Sequence, residues 1–167
     1  MDYNGLLLSL PKGIKIFFGA FVVILSIGFF TGLLFINETS SNTPAGIEEN
    51  YLGNEEDENA HIMKFKKGER EMLTIVHTHI LSMSFIFFLL GGLVWGIDLP
   101  TKLKLFLTVE PFVSVILTFG GIYLMWSGVL WMKYVVIFSG ILMTITFTVS
   151  SILVLYQLMT KNASVNL

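Results

Sequence analysis

Four long apolar runs, separated by short charged stretches, constrain this chain more than any other feature. They are residues 14–36, 72–97, 103–126 and 134–159. Each meets the length of about 20 apolar residues that a helix needs to cross a bilayer. The runs are continuously apolar rather than alternating, which favours helices over a β-barrel. Composition agrees: 54% of the 167 residues are hydrophobic and 13% are charged, against about 25% charged in soluble domains. The expected fold is all-α, an integral membrane four-helix bundle forming one domain over residues 1–167. One long acidic loop, Asn37–Glu71, joins the first two spans.

Several function classes drop out on composition. The first run is longer than a signal-peptide core, and "LFINETSSNTPAG" offers no clean small-x-small cleavage site, so it is expected to stay as a span. Cysteine is absent, which removes disulfides, thiolate nucleophiles, iron–sulfur clusters and cysteine-ligated zinc. The net charge is −2 and no basic stripe is present, so nucleic acid is not an expected partner. The sequence holds no nucleophile–base pair, phosphate loop or H-E-x-x-H, and independent catalysis is not expected.

The short N-terminal segment "MDYNGLLLSLPKGIK" is amphipathic. Pro100 in "DLPTKLK" is expected to end the second span, and "WSGVLWMK" to form a tight turn between the last two. The tail "TKNASVNL" is polar. One side of the membrane would hold Lys12, Lys15, Lys102, Lys104 and Lys161, the other Lys64, Lys66, Lys67, Arg70 and Lys133, a tie of five against five. The basic flank of the first span breaks the tie toward cytoplasmic termini and an extracytoplasmic loop 37–71. The setting expected is a bacterial inner membrane, with lipid as the constant partner and other membrane subunits or a second copy as candidates.

The candidate site lies in "EREMLTIVHTHILSMSFIFFLLGG", where His77 and His79 stand just inside the second run. Ionisable residues in a span are costly and are functional candidates by default. Neutral imidazole is a common ligand for haem and for copper or iron. Residues two apart on a helix point to nearly opposite sides, so the pair does not clamp one ion from one face. His77 shares its stripe with Thr74, Leu81, Ser84, Phe88, Gly91 and Trp95, and His79 with Val76, Ser82, Met83, Ile86 and Leu90. The small and polar members of the first stripe assign His77 to the bundle interior. His79 is left to a second cofactor, a partner subunit or the headgroups. The plain alternative is that a histidine about 7–8 Å inside the span reaches the interface or a backbone carbonyl with no cofactor. The third histidine, His61, is the candidate for a second axial ligand folded back from the loop. Met83, Met125 and Met132 read mainly as core.

Glu110 is the one acidic residue deep in a span. It is a candidate proton relay or quinone-headgroup acid, or a carboxylate satisfied near the interface or paired with Lys102 or Lys104. The acid run Glu55–Glu58 lacks the spacing of a calcium loop and reads as solvated. "TPAGIEENYLGNE" mixes turn residues with Ile47, Tyr51 and Leu52 and is expected to pack on the helix ends. Trp95, Trp126, Trp131, Tyr134 and Tyr156 fall near expected interfaces.

The segment "TPAGIEENYLGNE … MKFKKGEREMLTIVHTHILSMSFIFFLLGGL", Thr43 to Leu93, resembles a family of small bacterial four-helix membrane proteins of no assigned activity. Its members carry a P-x-G-I-x-x-x-Y-x-G-N-E-like loop before a T/V-H-x-H-(L/I) helix. They have a histidine before the loop tyrosine, where this chain has Asn50. More distantly, "VHTHILSMSFIFFLLGGL" is similar to the H-x-H-L helices of nitric-oxide-response haem–copper membrane proteins and of the haem–copper oxidase core. That similarity implies haem or copper ligation by His77 and His79. The expected function is thus a small membrane protein that binds b-type haem, or copper or iron, near the outer face. It would serve electron transfer or act as an accessory subunit of a respiratory assembly. The alternative is a cofactor-free structural subunit that packs against partner membrane proteins.

Overall fold

The computed structural model describes residues 3–40, 43–55 and 62–160, all helix, turn or irregular chain with no strand among them. His61, the acids Glu56, Asp57 and Glu58, and the tail beyond Thr160 lie outside the described residues. The helices run α1 (Leu6–Ser9), α2 (Lys12–Ser40), α3 (Pro44–Leu52), α4 (Glu69–Trp95), α5 (Thr101–Trp126) and α6 (Met132–Met159). Of these, α2, α4, α5 and α6 are long and apolar enough to cross a membrane. The bundle is therefore a four-span membrane domain, and each apolar run became one helix within a few residues of its expected limits.

The centre is the α5–α6 hairpin. In lipid there is little hydrophobic drive between helices, so close approach rests on small residues and interhelical hydrogen bonds. Both devices are present here. Thr118 and Ser139 share a 2.7 Å hydrogen bond across the seam. A Cβ on Gly121 would sit 2.9 Å from Val136 Cγ2, so glycine sets the spacing. Helix α4 packs on α5 and also touches α6, with Gly91 against Thr108. Helix α2 packs chiefly on α6. It meets α4 through an aromatic cluster in which Phe29 stacks on Phe147 at 3.9 Å, and Phe87 stands edge-on to both. Half of the apolar stretch of α5 is buried inside the protein but only 11% of those of α2 and α4, so α2 and α4 are the outer helices.

One local expectation is corrected. Pro100 does not end the second span. Helix α4 already stops at Trp95, and Pro100 is the N-cap residue of α5. Proline suits a helix start because the first turn has no use for its missing N–H. The turn after α5 closes tightly with Gly128 at φ 112. Met125 and Met132 are buried and Met83 is half-buried against the core, as expected of filler.

Candidate functional site

The two histidines of α4 face apart, but in the opposite sense to the stripe assignment. The inward stripe is Met72, Val76, His79, Met83, Phe87, Leu90 and Val94, spaced three and four apart. His77 is exposed on the outer face, beside Glu69, Arg70, Leu73 and Thr74. The assignment failed because polarity does not mark the inside of a membrane bundle. Small hydroxyls tolerate lipid by bonding back to their own helix, as Thr74 does to the Arg70 carbonyl at 2.8 Å.

His79 is held on two sides. Its ring stacks on Phe119 of α5, centroids 4.7 Å apart and planes 27° apart. Its Nδ1 lies 2.7 Å from the Ile75 carbonyl oxygen. A carbonyl only accepts, so Nδ1 carries a proton, and in the neutral ring the lone pair is then on Nε2. The ring is about 15 Å along the axis from the start of α4, ten residues at 1.5 Å each. Among the described residues, no three His, Asp or Glu side chains come together to hold a metal ion.

Glu110 lies elsewhere. His79 contacts α5 at Phe119, nine residues further along that helix than Glu110. Ser114 Oγ donates to Glu110 Oε1, one turn away on α5. The other oxygen, Oε2, is buried without a partner among the described residues, as are the hydroxyls of Ser150 and Ser151. Neither Lys102 nor Lys104 forms an ion pair with Glu110.

The bundle end near the histidines is closed by α3. Thr43 caps that helix by accepting from the Gly46 amide at 2.9 Å, with Pro44 in the first turn. Gly53 ends it at φ 83, pressed against the returning chain. Asn54 Oδ1 accepts from the Lys64 amide at 2.7 Å, and its Nδ2 donates to the Ile62 carbonyl at 3.0 Å. Glu48 pairs with Lys133 of α6 at 2.6 Å. Trp126 Nε1 donates to the Lys67 carbonyl at 2.8 Å, with the Lys66 ammonium 5.3 Å from its ring. Tyr51 is tucked beneath, and burial pushes its phenol above the usual value, offset in part by a hydrogen bond from Asn50. The motif "TPAGIEENYLGNE" is thus a cap built from an N-cap, a helix and a glycine turn.

The opposite end carries a group that sequence reasoning missed. Lys104, counted as a flanking charge, is 3% exposed. Its ammonium donates to Asn4 Oδ1 at 2.7 Å and to the Trp95 carbonyl at 2.9 Å. That carbonyl belongs to the last turn of α4, where a cation also meets the helix dipole. Asn4 Nδ2 donates to Asp98, and Gln157 brackets the Asp98 backbone from α6. No spacing in the sequence announces this latch.

Comparison with known proteins agrees with the architecture. Residues 41–165 match the model of the Aq_1264_TM family, a transmembrane helical domain. No curated protein and no solved structure matches the chain. The chain belongs to the Aq_1264_TM family of transmembrane helical domains, and is a multi-pass membrane protein in contact with lipid.

Proposed function

We propose that this chain is an accessory subunit of a membrane redox assembly and contributes one histidine, His79, to a b-type haem or to a copper or iron ion. The observation that supports this most is the commitment of Nδ1 to the Ile75 carbonyl, which leaves the Nε2 lone pair for a metal. Ligating histidines commonly donate their second nitrogen in this way, which fixes the tautomer and the ring. One histidine does not complete a haem or metal site. The remaining ligands would come from His61 or from a partner chain or second copy, and the bound group would supply the electron-transfer chemistry. In this reading the chain sits in a bacterial inner membrane with the α3 end outside, and Glu110 is the candidate proton relay from the opposite side. The test is the visible spectrum of protein isolated from its own membranes, oxidised and dithionite-reduced. His79→Ala is expected to abolish the Soret band and His77→Ala to leave it. A wild-type protein with no haem band and no copper or iron by elemental analysis ends this reading.

The peripheral position of α2 favours a second reading, a cofactor-free subunit that packs on partner membrane proteins. With 11% of its apolar stretch buried, α2 leaves most of its surface to lipid or a neighbour. Cross-linking from α2 to an unrelated membrane protein, together with a blank spectrum, would select it.

A further inference from the structure

The exposed face of α4 that carries His77 has a chemistry of its own. Two ridges run along it, Glu69–Leu73 and Arg70–Thr74–His77, and they bound a shallow groove. The groove begins at the helix start and descends toward His77, about 12 Å along the axis at 1.5 Å per residue. Helix α4 has 27 residues and is about 40 Å long, against a hydrocarbon layer of about 30 Å. Glu69 and Arg70 therefore stand at headgroup level and His77 just below it. Neither Glu69 nor Arg70 makes an ion pair among the described residues. The chain leading into the groove exposes Met63 and Phe65, apolar side chains suited to the interface.

We infer that this groove holds the headgroup of a zwitterionic phospholipid of the phosphoethanolamine class. The order of groups down the groove matches that ligand. Arg70 presents the planar donor fork that suits phosphate. Glu69 beside it takes the ammonium, and would repel a purely anionic headgroup. His77, about two turns deeper, donates an N–H to the glycerol ester oxygens that follow the phosphate into the membrane. Leu81, one turn beyond His77 and exposed, then meets the start of the acyl chains. This gives the lipid-facing histidine a polar partner within the bilayer, which relieves the cost of an imidazole in hydrocarbon.

The test uses the full chain in nanodiscs of equal parts phosphatidylethanolamine and phosphatidylglycerol, extracted in mild detergent, with retained lipids counted by native mass spectrometry. Phosphatidylethanolamine is expected to exceed phosphatidylglycerol by about threefold, the scale of exposed charge pairs. Arg70→Gln is expected to lose the retained lipid. Glu69→Gln should keep a lipid but bring the two headgroups to parity. Both side chains are exposed, so neither substitution threatens the fold. Equal retention in the wild type, a preference for phosphatidylglycerol, or a preference that survives both substitutions would overturn the assignment. So would a two-copy species that His77→Ala dissociates, since that gives the face to a second copy.

Discussion

The two ends of the bundle are closed by opposite means. At the α3 end the chain folds onto its own neighbours: Asn54 reaches Ile62 and Lys64, eight and ten residues away. At the other end Asn4 reaches Asp98 and Lys104, 94 and 100 residues away. The first closure depends on a backbone conformation at Gly53, with the Glu48–Lys133 pair and the Trp126–Lys67 bond tying it to the bundle; the second depends on buried side-chain polarity. A closure of the first kind fails when the backbone is denied its shape, and one of the second kind when a partner is removed.

The largest expected effect follows from Gly53. Its φ of 83 is unfavourable for any L side chain, and a Cβ there would lie 2.7 Å from the Lys66 nitrogen and 2.8 Å from the Lys64 oxygen. Those atoms are backbone and cannot swing away. Gly53→Ala is expected to cost about 3 kcal/mol locally, the upper range for backbone strain. Hydrogen exchange should show protection lost over 44–55 and 62–67 while the Leu7 amide, bonded to the Gly96 carbonyl at 2.9 Å, stays protected. Loss of protection at both ends would show that the two closures are one cooperative unit.

Asn4→Ala is the converse and should act more weakly. It leaves Lys104 with the Trp95 carbonyl alone, at about 1–3 kcal/mol for an under-satisfied buried group. Its other partners, Asp98 and Leu99, are reached by water, which softens the loss. The Leu7 amide is expected to exchange faster while α3 is unchanged. If Leu7 stays protected, the latch rests on the packing of Leu7 against Gly96 rather than on the buried ammonium.

The same contrast explains how much was legible in the sequence. The four spans follow from hydropathy alone, because the bilayer imposes one length on every crossing. The α3 cap was half legible: its turn residues are local signals, although the fit of Gly53 against residues 64–66 is not. The Asn4–Lys104 latch had no signal, since a lysine near a span end ordinarily reaches water. The facing of His77 and His79 was legible as an opposition, because two helical steps fix it, but not in its sense. Met72, Val76, Phe87 and Leu90 pack inward by shape, while the stripe with more hydroxyls meets lipid. For Glu110 two ways of satisfying the carboxylate were open, and the one found is a hydrogen bond, from Ser114 on its own helix, with no ion pair to Lys102 or Lys104.

Tyr51 gives the smallest and most selective probe of the α3 end. Burial raises its phenol above the ordinary value of about 10, and the hydrogen bond from Asn50 only partly offsets this. The folded state therefore holds the phenolic proton more tightly than the unfolded state. That contribution is fully present below about pH 10 and is lost as pH rises through the higher folded value. Exchange over α3 should accelerate in that alkaline window. The phenol is not the only polar contact of this end, which also holds the Glu48–Lys133 pair, so wild type alone does not isolate it. Tyr51→Phe keeps the buried ring and removes the titrating group. The variant is expected to keep α3 protected to higher pH than wild type, with no difference between the two proteins at Leu7. If both lose α3 protection at the same pH, the alkaline weakness belongs to another contact of this end and not to Tyr51.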